Sequence, residues 1–194
     1  YPMPAMPEGV EEGILKGLYK FQSSKKKRSK LKAQLFGSGA IMNKVLEAQK
    51  ILEEQYNVAA DVWSITSFKN LHRDAIDTER WNRMHPGETK RKSYIEESLE
   101  GEKGPFVIAS DYVKALPESI ARWFPEAPVS LGTDGFGRSE SREALRDFFE
   151  VDARFVTLGA LSALADAGQI EHEVVKKAMQ DLNIDSEKPN PVYR

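Results

Sequence analysis

Residues 31–68 constrain the fold more than any other part of the chain. An apolar run, LKAQLFG, ends in Gly37-Ser38-Gly39, and from there apolar residues recur at Ile41, Val45, Ala48 and Leu52. That spacing predicts an amphipathic helix over 40–56 lying on a sheet. A second apolar run, ADVWSITSF, follows at 60–68. Strand, helix and strand in succession read as a parallel crossover unit, with the helix covering one face of the sheet.

The rest of the chain extends the pattern. GPFVIASD (104–111) is almost continuously apolar, as expected of a strand covered on both faces. LPESIARWF (116–124) predicts a helix with Pro117 in its first turn, and APVSLGTD (127–134) a further strand. GILKGLYKFQ (13–22), with Ile14, Leu18 and Phe21, reads as another strand. The polar stretch 69–103 carries helical patterns around DTERWNRM (77–84) and SYIEESLE (93–100). Three helices close the chain: SESREALRDFF capped by Ser139, ARFVTLGALSALADAG capped by Asp152 and stopped by Gly168, and EHEVVKKAMQDLN. The predicted fold is therefore α/β, a three-layer αβα sandwich around a mostly parallel sheet of about five strands with one antiparallel edge strand. At 194 residues, one domain is expected.

Composition narrows the function classes. Without cysteine there is no disulfide, thiolate catalysis or cysteine zinc site. A net charge of −2 gives no global pull toward nucleic acid, and no apolar run approaches the roughly 20 residues of a membrane span. Neither nucleic acid nor membrane is expected as a partner. The one basic run, SSKKKRSK (23–30), reads as a solvated loop rather than a nucleic-acid patch, because no aromatic residues interleave and no second basic stripe follows. YPMPAMPEG has three prolines in nine residues, a linker composition. Residues 1–12 are taken as a linker from a preceding domain, and 13–194 as one C-terminal α/β domain of a longer protein.

Few residues carry a chemical signature. Gly37-Ser38-Gly39 entering a helix suits an anion, but a dinucleotide fingerprint needs a third glycine where Met42 stands. The following strand ends in Thr66, Ser67 and Phe68 instead of a ribose-binding acid. His72, His85 and His172 fall in no metal-ligand spacing, so no metal site is expected. Asp111 and Asp134 end two strands at the carboxyl edge, where α/β sites form but where carboxylates also cap helices. In TDGFG, Gly135 and Gly137 are expected at positive φ, leading the chain toward the cap at Ser139. The candidate anion or interface turns are thus Gly37, Ser38, Gly39, Thr66, Ser67, Asp134, Gly135 and Gly137.

GTDGFGRSESREALRDFFEVDARFV, together with PAMPEG, LFGSG, VWSITSFKNLHRDA, ERWNRMHP and NIDSEKPNP, resembles the C-terminal domain of the homodimeric pyruvate dehydrogenase decarboxylating components. These are acetyl-transferring enzymes of the transketolase-like thiamine diphosphate family. The resemblance implies a cytoplasmic homodimeric parent of three α/β domains, the first two binding thiamine diphosphate and Mg²⁺ across the dimer interface. It also implies decarboxylation of pyruvate and reductive acetylation of a lipoyl group on a partner acyltransferase. In this reading the present domain is structural and dimer-supporting, inactive alone, with no catalytic or cofactor-binding residue. The G-D-G…Asn diphosphate motif indeed has no counterpart here: TDGFG is followed by no asparagine at suitable spacing. The alternatives are a transketolase or 2-oxoglutarate decarboxylating component, or a free-standing domain that binds an anion or a partner.

Overall fold

The computed structural model describes residues 3–194; Tyr1 and Pro2, which open the expected linker, lie outside them. Five strands, β1 (Leu18–Gln22), β2 (Lys32–Gly37), β3 (Ala59–Ile65), β4 (Phe106–Ala109) and β5 (Val129–Leu131), form one sheet in the order β1-β3-β2-β4-β5. β2 runs parallel to β3 and β4, and β4 parallel to β5, while β1 alone is antiparallel, on the edge beside β3. The expected mostly parallel sheet with one antiparallel edge is what forms.

Alternation along the strands sorts the core into two layers. Ala33 and Leu35, Ala60 and Val62, and Val107 and Ala109 face one side. There α2 (Met42–Gln55) and α7 (Ala153–Asp166) pack on each other and on the sheet, with α8 (His172–Asp181) behind α7. Phe36, Trp63, Ile65, Phe106 and Ile108 face the other side, under α3 (Phe68–Met84), α4 (Tyr94–Ser98) and the turn carrying Trp123 and Phe124. Phe36 is the centre of this layer: its ring stacks on Trp63 at 5.8 Å and meets Phe124 edge-on at 5.3 Å. One polar pair is built into it. Gln34 accepts from Trp63 Nε1 at 2.7 Å and donates to the Lys103 carbonyl at 3.1 Å, so neither buried group is left unpaired.

Several boundaries differ from expectation. The segment 13–22 is not one strand: α1 (Glu11–Lys16) occupies its first half and reaches into the expected linker, and Gly17 at φ 110° turns the chain into β1. A Cβ on Gly13 would lie 2.7 Å from Tyr19 Cβ, so the glycine lets α1 fold back on the strand it precedes. The second crossover strand stops at Ile65, because Ser67 caps α3 by accepting from Asn70 N at 3.2 Å. Phe68, Leu71 and Ala75 then bury one stripe of a 17-residue helix, far longer than the one expected at 77–84. The helix expected over 116–124 shrinks to α5 (Ala115–Glu118), since Ile120, Trp123 and Phe124 must drop into the core. α6 (Arg142–Phe148) is capped by Ser141, whose Oγ accepts from Ala144 N at 3.3 Å, and not by Ser139. Asp152 does cap α7, accepting from Arg154 N at 2.8 Å.

Candidate functional site

The carboxyl ends of the parallel strands bring the expected residues into two places rather than one. At the first, Gly37 ends β2 and a single helical turn, Gly39–Ile41, leads into α2. Gly39 sits at φ 57°, with open space where a side chain would be. Gly37 has the opposite constraint: a Cβ there would lie 2.9 Å from Met42 Sδ, 3.0 Å from Met42 Cα and 3.2 Å from Val45 Cγ2. The close strand–helix approach that a third glycine would provide is thus supplied by Gly37, with Met42 packed directly upon it. Ser38 anchors the turn through its backbone N–H to the Ala109 carbonyl at 3.3 Å, and its side chain makes no cap.

Beside this turn, the backbone N–H groups of Thr66 and Ser67 both point to the Gly17 carbonyl, and Thr66 Oγ1 donates to the Ile14 carbonyl at 2.7 Å. Thr66 and Ser67 are therefore committed to holding α1 and starting α3. A cleft of about 740 Å³ opens here, with Ser38, Gly39, Thr66, Met3, Met6 and Tyr112 among its lining residues and no Asp, Glu, Lys, Arg or His among them. A phosphate needs fixed donors and positive charge. This cleft offers an apolar wall.

The second place lies beyond β4 and β5. Asp134 accepts from Lys114 N at 2.8 Å and faces Lys114 Nζ at 3.9 Å, so it ties the end of β5 to the loop after β4. Gly135 is at φ 93° and a Cβ there would meet the Pro191 carbonyl oxygen at 2.9 Å; Gly137 is not at positive φ, contrary to expectation. No close neighbour and no left-handed backbone holds Gly137 to glycine. Gly135 and Gly137 share a cavity of about 230 Å³ with Asp111, Arg138 and Arg146. Packing behind its carboxyl raises the Asp111 pKa above the ordinary aspartate value, while the Arg146 guanidinium pulls the other way. Asp134, by contrast, points into neither cavity.

Neither place fits thiamine diphosphate with Mg²⁺. The first has no carboxylate to coordinate the ion, and the second has one, already facing an arginine. Among the described residues no group of three His, Asp or Glu could hold a metal. The histidines are dispersed: His72 stands edge-on to Trp123 at 5.6 Å, His85 stacks on Trp81 at 4.3 Å, and His172 begins α8. What composition did not reveal is a charged junction on the β1 edge, where Lys20 bridges Asp61 at 3.0 Å and Glu102 at 2.7 Å. Burial disfavours the Lys20 charge, but the two carboxylates outweigh it and raise its pKa. Asp61, facing away from the carboxyl edge, also accepts from Ser24 N at 2.7 Å.

Residues 17–152 match the family model of the transketolase-like TK C-terminal domain. The chain is 50% identical over 193 residues to a protein of Pseudomonas aeruginosa named pyruvate dehydrogenase E1 component, covering 99% of this chain and 22% of that protein. It is 50% identical over 192 residues to the pyruvate dehydrogenase E1 component of Escherichia coli, covering 98% and 21%. The chain thus spans about a fifth of the length of these relatives. Among solved structures, a split-gene transketolase superposes with a TM-score of 0.56 at 21% identity, over 83% of this chain and 47% of that one. A Campylobacter jejuni transketolase gives 0.53 at 18%, over 83% and 20%. At such identity these structures speak for the fold alone.

Proposed function

We propose, from the premise that this chain belongs to the family of transketolase-like C-terminal domains, that it is the C-terminal domain of a pyruvate dehydrogenase E1 component. In that protein it serves as a structural, dimer-supporting domain. The parent decarboxylates pyruvate with thiamine diphosphate and Mg²⁺ held by domains outside this chain, and it reductively acetylates the lipoyl group of a partner acyltransferase, in the cytoplasm. The identity to the Pseudomonas aeruginosa E1 component over 99% of the chain carries the reading. The uncharged cleft at the carboxyl edge supports the assignment of a packing role in place of a cofactor role. Exposed apolar side chains on the same side of the fold, Met3, Met6, Tyr112 and Val113, are the surface such a role requires.

The test uses the full-length protein carrying this domain. Tyr112→Glu with Val113→Glu lowers the dimeric fraction in sedimentation, while molecules that remain assembled keep their affinity for thiamine diphosphate and their pyruvate-dependent acetylation of lipoyl groups. Loss of cofactor affinity in assembled molecules contradicts the reading. Activity with a sugar phosphate or 2-oxoglutarate in place of pyruvate supports the transketolase or 2-oxoglutarate alternative instead.

A further inference from the structure

The loop between β1 and β2 is at the opposite end of β2 from the glycine turn, and nothing in the proposed function uses it. Residues 23–31, SSKKKRSKL, contain five of the chain's 28 Lys and Arg residues and no acid, in a chain whose net charge is −2. The remainder of the molecule is therefore distinctly acidic. Like charges held together repel, and this chain has carboxylates to spare for neutralising them. It does not use them so. The nearest acids bind the loop's backbone and its serine: Glu53 accepts from Ser24 Oγ at 2.5 Å and Lys25 N at 3.2 Å, and Asp61 from Ser24 N. Lys25, Lys26, Lys27, Arg28 and Lys30 form no ion pair among the described residues, and among those residues the one hydrogen bond from their charged groups is a 3.5 Å contact from Lys26 Nζ to Asn57 Oδ1.

The loop is also held in shape. Ser29 Oγ donates to the Asn57 carbonyl at 2.6 Å, Leu31 N returns a bond to Ser29 Oγ at 3.2 Å, and Ser29 N closes on the Lys26 carbonyl at 3.0 Å. Asn57 itself adopts φ 54°, a conformation asparagine tolerates better than most side chains, and so presents its carbonyl to the loop. The result is a concave surface of about 420 Å³ lined by Lys25, Lys26, Lys27, Arg28, Ser29 and Asn57. A floppy tip would let its cations spread apart; this one keeps them clustered and unneutralised.

We propose that this loop is a docking site for an acidic protein partner, a carboxylate-rich loop or helix end that inserts among the five side chains. A compact partner is favoured over nucleic acid because the cations occupy one tip with no aromatic side chain to stack bases, and a duplex passing the tip would run its flanking phosphates along the acidic remainder. The flexible lysines and their exposure make the interaction fast and salt-sensitive.

The intact chain is titrated with poly-L-glutamate at low ionic strength, beside the quadruple variant Lys25→Gln, Lys26→Gln, Lys27→Gln, Arg28→Gln and a control, Lys176→Gln with Lys177→Gln on α8. The proposal expects saturable binding by the wild type, lost at least tenfold in the quadruple variant, unchanged in the control and weakened steadily by added salt. It also expects the quadruple variant to melt at the same temperature as the wild type or higher in low salt, since repulsion has been removed, and that melt verifies its fold. No saturable binding by the wild type, equal loss in the control, or tighter binding of duplex DNA than of poly-L-glutamate overturns the proposal.

Discussion

Replacing Gly37 by alanine adds one methyl group at the point where β2 meets α2. Its Cβ would lie 2.9 Å from Met42 Sδ and 3.0 Å from Met42 Cα, well inside the separation of roughly 3.5–4.0 Å at which carbon atoms attract. The sulfur can swing aside. The Cα cannot, because it belongs to a helix whose Val45, Ala48 and Leu52 are fully buried against the sheet. The helix must lift by a few tenths of an ångström, and overpacking of this kind costs about 1–3 kcal/mol. For a chain of this size that lowers the melting temperature by roughly 2–4 °C per kcal/mol. Gly39→Ala also destabilises, by about 1–2 kcal/mol, but through its left-handed backbone alone. Two further variants separate the causes in a thermal or urea melt. Gly39→Asn should recover much of the Gly39→Ala loss, whereas Gly37→Asn should be worse than Gly37→Ala. Met42→Ala removes the movable sulfur but keeps the Cα, so it should leave most of the Gly37→Ala loss in place. A Gly37→Ala melt identical to wild type would refute the close-approach argument.

Three other outcomes follow from the packing. Gln34→Leu strands the buried Trp63 Nε1–H and should cost about 1–3 kcal/mol in urea unfolding. Asp152→Ala removes the cap of α7 and one of the two carboxylates paired with Arg154, and should cost about 1–2 kcal/mol. Asp111 has a folded pKa above its unfolded one, so it favours the fold while protonated at low pH, and that contribution is lost as pH rises through the folded pKa. Asp111→Asn should therefore raise the melting temperature at neutral pH, with the difference from wild type closing as pH falls below the ordinary aspartate range. An Asp111→Asn variant that melted below wild type at neutral pH, with the deficit closing on acidification, would mean that Arg146 dominates the site instead.

The parallel core was legible because β2, α2, β3 and β4 carry their burial in their spacing: the Ile41, Val45, Ala48, Leu52 stripe and the alternation of Ala33 and Leu35 against Phe36 survive in the fold. What misled was sequence whose apolar content serves two elements at once. Ile14 lies on α1 and Leu18 on β1, and only the left-handed Gly17 between them reveals the break. Phe68 ends an apolar run yet begins α3, a helix mostly exposed after Ala75 and so lacking the stripe that would mark its length. The candidate turn residues were legible as a carboxyl-edge set, but their partition was not. Whether Thr66 faces a ligand or holds α1 depends on the Ile14 carbonyl, 52 positions away in the chain. Ser139 and Ser141 are equally good caps by type, and in the fold it is Ser141 whose Oγ accepts from the Ala144 N–H.

In the proposed role this domain contributes packing and not cofactor chemistry. Calorimetric titration of the intact 194-residue chain with thiamine diphosphate in the presence of Mg²⁺ tests it most directly. With no carboxylate or cation on the large cleft and a single arginine-faced aspartate in the small one, the titration should give no saturable heat and no rise in melting temperature at millimolar cofactor. Saturable binding in the micromolar range, accompanied by a ligand-dependent rise in the melt, would contradict it.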